Sequence, residues 1–313
     1  MYTRESLAEA RRLLSPNGIV ILSFGAERGW LADRLVGMAR DVFGHEPLTY
    51  EETKIPRQCG GGGNLAVVCG RHPVSLADVR DPALREFIRA RQIHMPGTAR
   101  PTTDDWPYLY LQHARIPKLH IVTSLAILAA VVLAGLRVLG LKQGLDWHFF
   151  ALGAAFLLLE VQTVSRATLL FGMTWVVNAI VISAVLVMIL LANLVAARCP
   201  RLPPAVSVVG LFVALLALAV VPLDVFNHLG GTTKLIAASA FLTAPILFGG
   251  IIFIRSFAAC GDKARALGAN LLGALVGGLL ESLSFVTGIR ALILLAAAFY
   301  IAALLLRPRL ATR

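Results

Sequence analysis

The pattern of hydrophobic and polar positions divides the chain into two unlike parts. Before Pro117 the apolar residues recur in short, interrupted patterns, whereas after it they form runs of the length that crosses about 30 Å of hydrocarbon, roughly 20 residues each. About seven such runs are present: Leu119–Leu141, Trp147–Leu170, Thr174–Ala197, Ala205–Leu223, Leu235–Phe257, Ala266–Gly288 and Ala291–Leu306. They predict a transmembrane helical bundle over residues 119–313, with the lipid bilayer as its surroundings.

The first 70 residues alternate between helical and strand-like patterns. The predicted elements are a helix at Thr3–Leu14, a strand at Ile19–Phe24, a helix at Trp30–Phe43 and strands at Leu48–Ile55 and Leu65–Cys69. A flexible turn is expected at Gly60–Gly63. Such alternation is typical of a doubly wound sheet, which usually needs about 100 to 150 residues to bury its core. Residues 1–70 therefore predict only a partial, Rossmann-like α/β segment.

Residues 71–118 are polar and rich in proline, with one short helix expected near Pro82–Arg91. This composition predicts a linker that ends in a juxtamembrane motif. The predicted fold class is thus a mainly α membrane protein of about seven hydrophobic helices, preceded by the partial α/β segment.

Composition supports the membrane assignment. Hydrophobic residues make up 57% of the chain and charged residues 15%, against about 45–50% and 25% in soluble domains. Residues 1–118 carry 16 Lys and Arg and 13 Asp and Glu, a net +3, while residues 119–313 carry 13 and 5, a net +8. The positive charge lies in short loops between apolar runs and does not interleave with aromatics, so no nucleic-acid partner is predicted. The four cysteines and seven histidines show no metal-ligand spacing, and no metal site is predicted.

Charge also bears on orientation, because basic loops prefer the cytoplasm. With seven full crossings most basic loops lie opposite the N-terminal segment, which by this rule would place that segment outside the cell. The stretch Trp147–Leu170 is the least apolar of the seven runs, and if it entered and turned back, all later loops would change sides. We predict a multi-pass protein of the bacterial cytoplasmic membrane with a cytoplasmic N-terminal segment. Two arrangements give this orientation: the stretch is re-entrant, or all seven runs cross and the charge rule is violated.

Ionisable and amide side chains within the apolar runs are the candidate site. A carboxylate at bilayer depth is costly unless it is paired or neutralised, so Glu160 is the most unusual residue of the bundle. The predicted polar intramembrane site comprises Glu160, Gln162, Arg166, Asn178 and Glu281. The alternative is a structural hydrogen-bond cluster that holds helices together. The glycines Gly268, Gly273, Gly277 and Gly278 are expected to allow close helix packing.

A second candidate precedes the first apolar run. Trp106, Tyr108 and Tyr110 could anchor the chain at headgroup level. That interpretation leaves Asp104 and Asp105 unexplained, and these carboxylates could instead bind an amine or cap a helix.

The chain resembles a known family. YTRESLAEARRLLSPNGIVILSF is similar to the latter half of the spermidine-synthase and class I methyltransferase fold. TDDWPYLYLQHARIP and GAAFLLLEVQTVSRATLLFGMTWVVNAIVISAVLVMILLANL resemble the multi-pass membrane proteins called spermidine-synthase-like, and LLGALVGGLLESLSFVTGIRALILL fits the same family. The resemblance implies a transferase that uses S-adenosylmethionine or its decarboxylated form and a polyamine or other acceptor.

The chain departs from this family at its beginning. The helix that begins near Tyr2 corresponds to a helix in the middle of the family's fold. In the family, three features precede that helix: the glycine-rich cofactor loop, the acidic residue that holds the ribose and the catalytic aspartate. No catalytic or cofactor-binding residue is therefore predicted in this chain, and the isolated chain is expected to be inactive. A separate chain or a missing N-terminal half would complete the α/β domain. The alternatives are a transporter-like bundle and a membrane scaffold that docks a soluble partner.

Overall fold

A computed structural model of the chain describes residues 2–26, 28–52, 64–138, 144–172 and 175–307. The chain forms two compact units, Met1–Arg115 and Ile116–Arg313. The structure is mainly helical, as predicted, with one small sheet in the first unit. The predicted turn at Gly60–Gly63 lies outside the described residues.

The N-terminal unit contains the helices and strands predicted from its pattern. They are α1 (Arg4–Leu13), β1 (Ile19–Gly25), α2 (Gly29–Phe43), β2 (Leu48–Glu51), β3 (Asn64–Gly70) and α3 (Pro82–Arg89). Helix α1 begins where the Thr3 hydroxyl accepts a hydrogen bond from the Ser6 N–H at 3.2 Å, which satisfies one of the free amides of the first turn. Helix α2 ends at Gly44, whose φ of 80° favours glycine.

The sheet has the order β1–β3–β2, and both of its pairings are antiparallel. Ile19 lies opposite Gly70 in one pairing, and Leu48 lies opposite Val68 in the other. A doubly wound sheet would be mostly parallel, so the pairings differ from the prediction. The difference arises because β3 returns between the two earlier strands and runs against both.

Helix α2 covers one face of this sheet. Leu35 and Met38 of the helix belong to a buried cluster with Leu65, Val67 and Cys69 of β3. The apolar stripe of α2 and the continuous apolar run of β3 therefore account for most of this core.

The stretch 71–115 belongs to the compact N-terminal unit, which corrects the predicted linker. Ile88 of α3 packs with Leu48 and Val68 of the sheet, and Trp106 and Leu109 are buried. This stretch is mostly proline and polar residues, and only a few apolar side chains pack into the core. Composition alone therefore indicated a linker.

The second unit is a helical bundle. Its helices are α4 (Lys118–Val138), α5 (Trp147–Phe171), α6 (Trp175–Arg198), α7 (Pro204–Val220), α8 (Gly231–Ala259), α9 (Lys263–Leu280), α10 (Ser284–Thr287) and α11 (Arg290–Leu305). Four helical stretches in the described residues are long and apolar enough to cross a membrane: Trp147–Phe171, Val177–Arg198, Gly231–Ala259 and Lys263–Thr287. The other three predicted runs form shorter apolar helices. This composition is compatible with an integral membrane protein.

Helix α5 lies at the centre of the bundle and overturns the re-entrant interpretation. It is one unbroken helix of 25 residues, about 37 Å long at 1.5 Å per residue, and it packs on α6, α8, α9 and α11. Its polar residues made the stretch the least apolar of the seven runs. They are tolerated because Gln162, Thr163 and Arg166 are buried among the other helices.

Backbone contact between α5 and α9 explains two of the predicted packing glycines. A Cβ on Gly273 would overlap the carbonyl oxygen of Phe150, and one on Gly277 would overlap that of Ala154. From the first contact to the second, the residue number rises by four on each helix, so α5 and α9 run parallel. The expected packing role of Gly273 and Gly277 is confirmed.

Contacts at the helix ends set the directions of the other helices. His148 at the start of α5 lies 2.7 Å from the Ala303 carbonyl near the end of α11, so these two helices are antiparallel. Lys234 near the start of α8 donates to the Leu170 carbonyl at the end of α5, and Arg255 near the end of α8 donates to the Leu202 carbonyl just after α6.

One end of the bundle therefore collects the starts of α5 and α9 and the ends of α6, α8 and α11. We call it the basic end, since it carries Arg198, Arg201, Arg255, Lys263, Arg265 and Arg307.

Candidate functional site

The buried polar face of α5 holds two of the five predicted intramembrane residues. Gln162 and Arg166 are four residues apart and so lie on the same side of the helix. Gln162 is fully buried, and neither its Oε1 nor its Nε2 has a hydrogen-bond partner among the described residues. An unpaired amide in a buried setting is unusual, because most such groups are satisfied.

Arg166 has a clear structural partner. Its guanidinium donates to the Leu218 carbonyl in the last turn of α7. The helical donor to that carbonyl would be residue 222, which is a proline without an N–H. Arg166 therefore satisfies a carbonyl that α7 cannot satisfy itself, and its charge complements the negative end of the α7 dipole.

Glu160 lies on another side of α5. Glu160 and Arg166 are six positions apart, which places the two side chains about 120° apart around a helix of 3.6 residues per turn. Glu160 is half-buried. Leu157 of α5 lies against the position of Gly278 on α9, and three residues further along each helix come Glu160 and Glu281. The parallel packing thus brings these two carboxylates to the same level of the bundle.

Glu281 is half-buried and interacts electrostatically with His120 of α4. The His120 ring packs edge-on against Phe285, with ring centroids 5.6 Å apart, and its Nε2 is buried without a partner among the described residues. This pair connects α4 to the segment that follows α9.

Asn178 does not join the site. It is exposed on the surface of α6, so its inclusion among the buried polar residues is wrong. Sequence spacing could show that Asn178 lies near bilayer depth, but the side of α6 that faces the bundle depends on packing.

The juxtamembrane motif is part of the N-terminal core. Arg34 of α2 is fully buried, and its guanidinium donates to five backbone carbonyls, those of Arg100, Tyr108, Leu109, Leu111 and Gln112. The rings of Trp30 and Trp106 lie 4.9 and 5.4 Å from the guanidinium carbon. Burial, helped by the nearby charge of Arg100, lowers the pKa of Arg34 from its ordinary value.

These contacts correct the anchor interpretation of Trp106. The indole is only 2% exposed, so it cannot occupy a membrane interface while it packs on Arg34. Tyr110, by contrast, is 73% exposed.

Asp104 does not cap a helix itself but contacts the residue that does. It accepts a hydrogen bond from the hydroxyl of Thr3 at 2.7 Å, and Thr3 is the residue that caps α1. The Asp104 N–H in turn donates to Glu5 in the first turn of that helix. Asp105 is half-buried beside it. The motif therefore ties the end of this unit to its beginning.

Sequence reasoning missed several residues that the structure singles out. Asp33 accepts hydrogen bonds from the backbone amides of Gly97, Thr98 and Ala99, a pattern that no local sequence signal indicates. Asn193, Asn270 and Tyr300 line one cavity in the bundle. Each is a polar residue within a mainly apolar helix, and that was the available signal.

No family model, curated protein or solved structure matches the chain. The geometry of the two units and the residues themselves carry the functional argument.

Proposed function

We propose that this chain is a multi-pass membrane protein of the spermidine-synthase-like type, in which the bundle anchors part of a Rossmann-like transferase domain. The observation that carries the proposal is the β1–α2–β2 connection. Both outer strands run antiparallel to β3, so they are parallel to each other and are joined through helix α2. A crossover helix between parallel strands is the repeating unit of α/β domains.

The outer edge of β1 is consistent with pairing to a further α/β segment. In the described residues β1 pairs with β3 only, so its other edge has free backbone groups. Ile19 and Ile21 on this strand are 52% and 55% exposed, an unusual position for two β-branched apolar side chains. A further α/β segment, from a separate chain or from a preceding half, would pair with this edge and cover these side chains.

In this proposal the added segment supplies the cofactor loop and the catalytic aspartate. S-adenosylmethionine or its decarboxylated form binds only to the completed domain, and the acceptor is a polyamine or another nucleophile. Under this proposal, transfer requires the completed domain.

The bundle would cross the membrane seven times. Alternating directions support this number, because α5, α7 and α9 run one way and α6, α8 and α11 the other, with the start of α4 at the far end of α9. We place the protein in the bacterial cytoplasmic membrane with the N-terminal unit in the cytoplasm, where an intracellular nucleotide cofactor is present. Seven crossings then put the basic end on the opposite side, against the positive-inside rule.

A reporter fused at Gly172 tests this orientation directly. If the N-terminal unit is cytoplasmic and α4 and α5 both cross, a fluorescent reporter that matures only in the cytoplasm should be active there, and one fused at Gly261 should be inactive. The reverse result would place the basic end in the cytoplasm and would contradict the proposal of a cytoplasmic transferase domain.

Binding of S-adenosylmethionine tests the transferase. The chain in lipid nanodiscs should show no heat of binding with S-adenosylmethionine or its decarboxylated form, and co-expression with the segment encoded directly upstream should create binding. Ile21→Lys should block this gain, since it places a charge on the uncovered face of β1. Leu13→Lys is the matched control, because Leu13 is 75% exposed and lies on α1, away from the sheet. Binding by the isolated chain, or none by the completed one, would refute the proposal.

A second candidate is transfer of a polar solute through the bundle, which Gln162 favours because its buried amide has no partner among the described residues. Solute flux in proteoliposomes that is lost in Gln162→Leu would support it. A chain that leaves the vesicles as tight as empty ones would exclude it.

A further inference from the structure

A cavity of about 290 Å³ lies in the bundle close to the basic end. It is formed between five helices, α5, α6, α8, α9 and α11, and most of its wall is apolar, including Leu152, Phe156 and Ile189. Its volume is at the lower end of the range of ligand pockets. Exposed Asn193 is part of the lining, so the cavity opens on the lipid-facing side of α6.

The hydroxyl of Tyr300 is a hydrogen-bonding group of a residue in the cavity wall, and it has no partner in the described part of the chain. Tyr300 is 1% exposed, and no described residue bonds to its oxygen. The hydroxyl lies directly against Gly249, where a Cβ would overlap it, and Gly249 is itself part of the lining. Buried hydroxyls are normally bonded, so this oxygen points to a ligand atom that completes it.

The depth of the polar lining residues matches a particular level of the bilayer. Tyr300 is five residues from the last residue of α11, and Asn270 is seven from the first residue of α9. At 1.5 Å per residue these side chains lie about 7 to 10 Å from the helix ends. The headgroup region on each side of the hydrocarbon is about 5 to 7 Å thick. With the helix ends at the outer edge of the headgroup region, the polar groups lie just below the headgroups, where a phospholipid carries its ester carbonyls.

The charge above the cavity favours an anionic headgroup. The exposed side chains of Arg198, Lys263 and Arg265 surround this end, and Arg255 follows the lining residue Ile254 directly. The acidic residues here, Asp146 and Asp262, accept backbone hydrogen bonds as helix caps. Arg198, Lys263 and Arg265 form none of the ion pairs found among the described residues, so their charges can interact with an anion.

We infer that the cavity holds the ester region and the first part of one acyl chain of an anionic phospholipid. The phosphate lies among the cations of the basic end, and an ester carbonyl accepts a hydrogen bond from the Tyr300 hydroxyl. The acyl chain runs along Leu152 and Phe156, and the rest of the lipid stays in the bilayer. This site depends on the bundle being in a membrane and not on the transferase proposal or on orientation.

Native mass spectrometry of the delipidated chain in detergent tests the site. Phosphatidylglycerol and phosphatidylcholine with the same acyl chains are titrated separately, and the dissociation constant of the first bound lipid is measured. Phosphatidylglycerol should bind at least fivefold more tightly at low salt, and this difference should shrink in 0.5 M ammonium acetate because exposed charges are screened.

Two variants and two matched controls locate the lipid. Tyr300→Phe removes only the hydroxyl and should weaken phosphatidylglycerol about fivefold, whereas Ser207→Ala removes a buried, unpartnered hydroxyl outside the cavity and should leave binding unchanged. Ile189→Phe fills the cavity and should abolish the first bound lipid, whereas the neighbouring Leu190→Phe, at a position 68% exposed, should not.

Equal dissociation constants for the two lipids would show that the site does not select an anionic headgroup and would contradict that part of the inference. If both cavity variants bind like their controls, the lipid lies elsewhere and the inference fails. Each variant must elute from a sizing column like the parent chain, and because Tyr300→Phe keeps the ring, it decides the question if Ile189→Phe does not fold.

Discussion

The two units of this chain treat buried polar groups differently. In the N-terminal unit, Asp33 and Arg34 are buried side by side, and each is satisfied by several backbone groups of residues 97–112. In the bundle, buried Arg166 is likewise bonded to a carbonyl, but Gln162 and Tyr300 are deeply buried and have no partner among the described residues. Satisfied buried charges hold a structure together, and an unsatisfied group is a candidate ligand contact where a cavity lies beside it. Asp33 and Arg34 are therefore structural residues, whereas Gln162 and Tyr300 are candidates for a site.

The largest effect should come from Arg34→Met. The change leaves several buried carbonyls without a donor, each costing about 1–3 kcal/mol, so a total loss of about 3–5 kcal/mol is expected. Limited proteolysis of the full chain in detergent should then cut within residues 97–112. Arg28→Met, at an exposed position next to the same helix, should leave the cleavage pattern unchanged. A protected segment in Arg34→Met would show that the carbonyl contacts are dispensable.

Gly277→Leu should disturb the bundle almost as much. A side chain at this position would push against the Ala154 carbonyl, and overpacking of this kind typically costs about 1–3 kcal/mol. The thermal unfolding midpoint in detergent should fall clearly. Gly231→Leu is the control, since nothing lies within 4 Å of a Cβ at that position. Equal midpoints for the two variants would contradict the close contact of α5 and α9.

Gln162→Leu should have a small effect of opposite sign. Removing an unsatisfied buried amide relieves a desolvation cost, so stability should be unchanged or rise by up to about 1 kcal/mol. Thermal unfolding of the parent and variant in the same detergent measures the change. A large loss of stability would mean that Gln162 has a partner that holds the bundle together, and the comparison between the units would fail.

Thiol reactivity gives the smallest and most local test. Burial raises the pKa of the Cys69 thiol to about 12, so at pH 8 almost none of it is the reactive thiolate. Cys199 in the bundle is exposed. With a soluble maleimide and single-cysteine variants, Cys199 should react within minutes, and Cys69 should react only after unfolding or as the pH rises towards 12. Rapid labelling of Cys69 in the folded chain would contradict its burial in β3.

Much of the fold could be predicted from the pattern of residues. The helices and strands of the first 70 residues and the apolar runs of the bundle follow from local periodicity, which reports which residues are buried together. The linker prediction for 71–118 failed because Ile88 and Trp106 are isolated apolar residues in a polar stretch, and no period reveals their partners.

The candidate site was predicted in part. Gln162 and Arg166 were found because amide and charged groups are rare in apolar runs. The error at Asn178 and the missed cavity around Tyr300 have one cause, since both depend on which side of a helix faces its neighbours. A helix that is hydrophobic on all sides gives no such signal.

The division of the chain into a small α/β unit and a following bundle of apolar helices can be read from the residues alone, because burial in lipid or in a core needs apolar residues at regular intervals. The order of the strands, with β3 between β1 and β2, the unbroken course of α5 and the gathering of basic residues at one end became visible only in the folded chain. These features depend on contacts between residues far apart in the chain, where the partner of each group is set by packing and not by its neighbours in sequence.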